Sequence, residues 1–173
     1  MKFKMTETYL SQQVMLESLI NFYKQGNNFG KFIDIIVHKK YKIPISLFDW
    51  FITNYAKNTD IHYIIARPNG ETEIFKPYRS YQNQLNSFSK KNFDPFCRGG
   101  AKNNITLQYT DPITKENITF ETSIRQMKFF KWAIENLIVE YIYERYEDLT
   151  NLMKEYRKSL MIVPVVQQTT LSN

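Results

Sequence analysis

The segment from Lys76 to Lys102 holds six basic residues, Lys76, Arg79, Lys90, Lys91, Arg98 and Lys102, against one acid, Asp94. Tyr78, Tyr81, Phe88, Phe93 and Phe96 stand among them. Cations at this density neutralise phosphates, and rings between them offer faces on which bases stack. A solvated basic helix whose rings are simply core would show the same pattern. The six basic residues are the candidate phosphate contacts, with DNA ahead of RNA as the partner.

The run FDPFCRG, Phe93 to Gly99, is the second place where chemistry could reside. A cation beside Cys97 would lower its thiol pKa, as Arg98 could. A nucleophilic thiol also needs a base, and only His38 and His62 are available. Nothing in the spacing brings either to Cys97. The alternative is a structural loop in which Asp94 caps a turn, Pro95 stiffens it, and Phe93 and Phe96 plug the core.

One Cys and two His give no metal-ligand spacing. The carboxylates Glu140, Glu144, Glu147 and Asp148 read as a solvated helix face rather than a metal site. No phosphate-cradling glycine motif occurs, and Gly99-Gly100 alone does not make one. The chain is expected to be no enzyme and to need no cofactor.

The chain has 173 residues, 43% of them hydrophobic and 16% aromatic, enough for a real core. Its net charge of +6 is unevenly spread: residues 61–104 carry seven basic and three acidic residues, residues 105–173 eight and nine. The opening MKFKMTETYLSQQ lacks the apolar stretch of a signal peptide. No apolar run approaches the ~20 residues that span a bilayer. A soluble, intracellular protein without a membrane partner is expected.

These residues need elements to hold them. Thr6–Lys24 reads as a helix ended by Gly26, and Phe29–Lys40 as a second, with a strand as its alternative. A third helix, SLFDWFITNYAKN, starts at Ser46 as its cap. The pair over residues 29–58 has the outline of a helix-turn-helix, with Thr53, Asn54 and Lys57 as its polar readers, or is simply a packed pair. Ile61–Arg67 and Thr72–Phe75 form a hairpin around Asn69-Gly70. Tyr78, Tyr81, Leu85 and Phe88 share one helical face. A second hairpin pairs Ile105–Tyr109 with Asn117–Thr122. A long helix then runs from Ser123 to Leu160, striped by Met127, Phe130, Ile134, Leu137 and Tyr141. Its length predicts a break near Tyr146–Leu149. The fold class is α+β: three N-terminal helices, two antiparallel β-hairpins and a long C-terminal helix. One domain is expected over residues 1–160, with an extended or disordered tail over 161–173.

After Tyr141 the stripe shifts to Ile142, Tyr146, Leu149, Met153, Tyr156 and Leu160, the heptad spacing of a coiled-coil seam. Left in water, that strip would be an apolar patch that monomers avoid. It is expected to pack on a second copy, a partner protein, or the N-terminal helix folded back. Trp50, Tyr143, Tyr146 and Tyr156 are the candidate exposed anchors of a protein interface.

Three blocks bring a family to mind: Asp49-Trp50-Phe51 with Thr53-Asn54-Tyr55; Ser89-Lys90-Lys91 with Phe93-Asp94-Pro95-Phe96-Cys97-Arg98; and Gln126 with Phe129-Phe130-Lys131-Trp132-Ala133-Ile134-Glu135-Asn136. Over residues 45–142 the chain resembles an uncharacterised family of small basic proteins from nucleocytoplasmic large DNA viruses, the giant viruses. It departs from that pattern at Gly99, where a basic residue is expected, and at Lys131, where Arg is usual. The resemblance implies a viral protein of the host cytoplasm (the viral factory) or of the virion, and carries no known activity. Two functions are therefore expected in order: nucleic-acid binding in genome packaging or late transcription, then a virion structural or adaptor role.

Overall fold

The structure, a computed structural model, describes residues 7–40, 42–97 and 104–169, with side chains over 10–40, 42–97 and 104–161. It is α+β, built around the helix α6 (Ile124–Glu135). Ser123 caps α6, its hydroxyl accepting from the Gln126 amide at 3.1 Å. Met127, Phe129, Phe130, Trp132, Ala133 and Ile134 of α6 are all buried. A helix apolar on so much of its surface must be enclosed.

The enclosing elements come from both sides in sequence. α1 (Glu7–Tyr23) and α2 (Asn28–Ile36) pack on α6. Tyr23 donates its phenol to the Met127 carbonyl at 2.7 Å, so this deeply buried hydroxyl is satisfied. Gly26, at φ 52°, turns the chain between α1 and α2. α2 is a helix, not a strand, and buries Phe32, Ile33 and Ile35.

The third helical stretch is less regular than expected. α3 (Ile45–Trp50) starts after Pro44, so Ser46 is not its cap. It passes into a π-helical turn, Phe51–Tyr55, and closes as α4 (Ala56–Asn58). The wider turn lets Trp50, Phe51 and Ile52 all point inward. Thr53 and Asn54 are half-buried and locally bonded, Thr53 Oγ1 donating to the Asp49 carbonyl at 2.7 Å and Asn54 Nδ2 to Thr53 Oγ1 at 3.0 Å. Two of the three polar readers of a helix-turn-helix are thus engaged within the turn, whereas Lys57 is exposed, and the two helices meet on α6, where Phe32 and Phe48 both pack against Phe130.

Both hairpins form. β1 (Tyr63–Ala66) pairs antiparallel with β2 (Thr72–Phe75), turning at Gly70, whose φ of 84° suits glycine. β3 (Asn104–Thr110) pairs with β4 (Asn117–Ser123), and Ile118, Phe120 and Thr122 alternate inward. α5 (Pro77–Phe88) lies between the hairpins in sequence and is followed by a 3₁₀ turn, Lys90–Asn92.

The long C-terminal helix is three helices. α6 ends at Glu135, α7 spans Ile138–Glu144 and α8 spans Tyr146–Thr169. The second break adjoins the expected position. The first does not: Leu137 sits in the left-handed region at φ 54° and is 41% exposed, against its expected inward place. The break rotates α7, so that Ile138, Val139 and Ile142 take over the core face. α8 continues to Thr169, where the sequence suggests an extended tail. No Gly or Asn follows Leu160 until Asn173, so nothing supplies a left-handed stop, and α8 runs through Pro164 although an interior proline ordinarily kinks or breaks a helix.

The expected seam is mostly covered from within. Ile142, Leu149 and Met153 are buried, and α8 lies on α3, with Tyr156 6.2 Å from Trp50. That cover comes from this chain's own core and from α3. Only Leu160 of the strip is exposed, at 55%.

Candidate nucleic-acid interface

Pro77 presets the first turn of α5, where its missing N–H costs nothing. The sequence PYRSYQNQLNSF contains no acid. Its inner face is anchored to α6, with Trp132 Nε1 donating to Ser80 Oγ at 2.9 Å and the Tyr81 ring tilted against Trp132 at 6.0 Å. Phe88 lies nearly parallel to Phe93 at 6.2 Å. Burial pushes the Tyr81 phenol up to about 12. The opposite face, Arg79, Gln82, Asn83, Asn86 and Ser87, is fully in solvent.

The expected phosphate contacts distribute along this helix. Lys76 directly precedes α5 and is exposed, with its ammonium 3.6 Å from the Asp60 carboxylate. Arg79 projects from the first turn, and Lys90 and Lys91 from the 3₁₀ turn at the far end. Arg79, Lys90 and Lys91 have no ion-pair partner among the described residues. Arg98 and Lys102 lie outside the described residues. A 12-residue helix is about 18 Å long, so the four form two groups, one at each end of α5.

The interleaved rings do not join them. Tyr81 and Phe93 are buried, and Tyr78, Phe88 and Phe96 are half-buried in the aromatic packing. The helical spacing of Tyr78, Tyr81 and Phe88 places them on the apolar face of α5, opposite the charges, and Phe93 packs on Tyr81 and Phe88 from the segment that follows. Stacking on bases is withdrawn for these rings.

Three further cations border the surface, Arg67, Lys57 and Lys128, of which the sequence points only to Lys57, as a helix-turn-helix reader. Arg67, Lys76, Arg79 and Asn83 line one shallow cleft beside α5; Lys57, Asp60, Lys76 and Arg79 line another. Arg67 is committed to Glu73, with Nε donating at 2.9 Å, whereas Lys57 is exposed. Lys128 of α6 holds its ammonium 4.3 Å above the Phe88 ring, near the Lys90–Asn92 turn. Desolvation draws its pKa down, and no carboxylate pairs with it among the described residues. Lys57 and Lys128 are remote in sequence from the basic segment, so only tertiary packing brings them to it.

Residues 93–97, the described part of the FDPFCRG run, are held by core contacts. The Phe96 amide donates to Asp94 Oδ1 at 3.1 Å, and Gln126 Nε2 donates to the Pro95 carbonyl at 2.9 Å. Thr122 Oγ1 in turn donates to Gln126 Oε1 at 2.8 Å. Cys97 is half-buried, its thiol 3.3 Å from Asn104 Oδ1, and burial raises its pKa. His38 lies 3.4 Å from Asp34, and His62 3.1 Å from the Asp60 carbonyl. Both imidazoles are therefore engaged within their own segments. Among the described residues no His, Cys, Asp and Glu gather as metal ligands, and no helix is long and apolar enough to cross a membrane.

The expected aromatic anchors of a protein interface are largely internal: Trp50 is buried, and Tyr146 and Tyr156 are half-buried. Tyr143 is exposed. The apolar residues that do face solvent include a cross-strand pair, Ile64 and Ile74, at 72% and 67% exposure on the β1–β2 hairpin.

Residues 1–168 match DUF7197, a family of unknown function, and the chain belongs to it. It is also similar to "Uncharacterized protein L507" of Acanthamoeba polyphaga mimivirus, 42% identical over 123 residues. The alignment covers 71% of this chain and 46% of that protein, so the chain spans less than half of its relative's length. The giant-virus kinship read from the three sequence blocks agrees with this relative. No solved structure matches the chain.

Proposed function

We propose that this is a non-enzymatic viral protein that binds nucleic acid through the α5 surface, in genome packaging or late transcription. The supporting observation is that Arg79, Lys90 and Lys91 are exposed and have no carboxylate partner among the described residues, around a helix that has no acid. Lys76, Lys57 and Lys128 add to that surface, and Arg98 and Lys102 add to its charge in sequence. With the rings turned inward, backbone contact to duplex DNA is favoured over stacking on a single strand. The site of action would be the viral factory in the host cytoplasm, or the virion.

An electrophoretic mobility shift at low salt tests this. Four phosphate contacts predict a slope of log affinity against log salt of about −3.6, at roughly −0.9 per neutralised phosphate. No shift with duplex DNA or RNA removes the proposal.

The Ile64–Ile74 pair favours a second reading, a virion structural or adaptor protein. Two large aliphatic side chains in water on a hairpin with open edges suit a protein contact. A viral partner recovered stoichiometrically after nuclease treatment, and lost on Ile64→Lys, would support it over the first. Self-association through the C-terminal helix stays as a proposal resting on Leu160 and Met161, exposed at 55% and 77%. Light scattering that finds a monomer at tens of micromolar would end it.

A further inference from the structure

We infer that the exposed face of α5 reads adenine-bearing steps in the major groove of duplex DNA, through Gln82, Asn83 and Asn86. This rests on the nucleic-acid reading above and goes further, because charge alone confers no sequence preference. Residues 79, 82, 83 and 86 recur at three- and four-residue steps, so Arg79 and the three amides share one face. All four are exposed. No hydrogen bond to another described residue engages the three side-chain amides; the Asn83 carbonyl accepts from Ser87, but its amide does not. Such amides present a donor and an acceptor side by side, the pattern that pairs bidentately with N6 and N7 of adenine.

The dimensions suit the groove. From Arg79 to Asn86 the axis rises about 10 Å, the length of roughly three base pairs. The cations flank this stretch: Lys76 and Arg79 at one end, Lys90 and Lys91 at the other. Basic groups at both ends of an ~18 Å helix can reach the phosphates on either rim of a groove about 12 Å wide, with the amides between them over the base edges. A double-stranded RNA would not serve, because its deep, narrow major groove is closed to side chains. α5 itself carries no acid; the nearest carboxylates, Glu73 in the cleft shared with Arg79 and Asn83 and Asp60 beside Lys76, are paired with Arg67 and Lys76.

The test is selection of the full chain on a pool of randomised duplex DNA, followed by fluorescence anisotropy. The selected site should contain adenine and bind at least tenfold tighter than a G·C duplex of equal length. Replacing its adenines by 7-deazaadenine, which removes the N7 acceptor and leaves the protein untouched, should cost at least fivefold. Gln82→Ala, Asn83→Ala and Asn86→Ala together should abolish the preference while leaving the salt slope unchanged. Arg79→Ala with Lys90→Ala and Lys91→Ala should instead weaken all duplexes alike and flatten the slope by about 3. Duplex binding without preference, or a preference indifferent to 7-deazaadenine, overturns the inference and leaves the nucleic-acid reading standing. No duplex binding overturns both.

Discussion

The phenol of Tyr63 donates to the main-chain carbonyl of Asn136 at 2.6 Å, across 73 positions of sequence. That carbonyl lies just past the last turn of α6, where helical partners have run out. Arg67 reaches the same corner, its guanidinium 3.0 Å from Asn136 Oδ1, while Asn136 Nδ2 donates back to the Trp132 carbonyl at 2.8 Å. The β1–β2 hairpin thus supplies the donors that end α6.

Tyr63→Phe leaves that carbonyl without its donor and should cost about 1 kcal/mol, a fall in Tm of roughly 2–4 °C for a chain of this size. Leu137→Gly should act oppositely. Leucine at positive φ carries roughly 1 kcal/mol of strain that glycine relieves, and the side chain is already 41% exposed. Thermal unfolding of both variants checks the pair, and a lower Tm for Leu137→Gly contradicts the account.

Removing α8 should unfold the protein and not merely change its oligomeric state. Leu149 and Met153 are buried at 1% and 5% exposure, and large-to-small changes at such sites cost about 2–5 kcal/mol each. Leu149→Ala should lower Tm by several degrees and, as α8 loosens from α3, shift tryptophan emission to the red, because Tyr156 of α8 packs on Trp50. Leu160→Ala, at an exposed position, should do neither.

Cys97 should behave as an unreactive thiol. Burial is the leading cause of its raised pKa, so at neutral pH the thiolate is scarce. Labelling by iodoacetamide at pH 7.5 should be several-fold slower than for free cysteine and should speed up on unfolding. Labelling as fast as free cysteine in the folded protein would contradict this environment.

Alkali should destabilise the fold through its buried phenols. Burial raises Tyr23, Tyr63 and Tyr81 above the ordinary value near 10, because the charged form cannot be solvated inside. The stability they contribute is intact below about pH 10, and is lost as pH rises through the raised values. Denaturant midpoints should be flat from pH 8 to 9.5 and fall steeply above. Phenolate absorbance should appear in step with unfolding.

The apolar faces were legible because they obey local periods. Tyr78, Tyr81, Leu85 and Phe88 predict the inner face of α5, and Met127, Phe130 and Ile134 that of α6. Ser123 as a cap and Gly70 as a turn were equally readable, each from one residue's own chemistry. The break at Leu137 was not, since the groups that hold it, Tyr63 and Arg67, lie in another hairpin. The candidate site divides the same way. Its cations could be counted in sequence, but the Lys76–Asp60 pair, the inward turn of the rings and the arrival of Lys128 belong to tertiary packing.

Ile124 to Glu144 contains neither proline nor glycine. In the unfolded chain, helix propagation adds one bond per residue and has no local reason to stop at Asn136. Nascent helix therefore runs across the future break, and its register is wrong for α7. Correcting it requires the hairpin to arrive, which closes a loop of 73 positions at a cost in chain entropy. The hairpin turn accordingly governs how fast the chain escapes a misregistered helix. Gly70→Ala, strained at φ 84°, should slow refolding in stopped-flow circular dichroism more than it speeds unfolding. On this account the end of α6 is set late in folding, once the hairpin has closed on it.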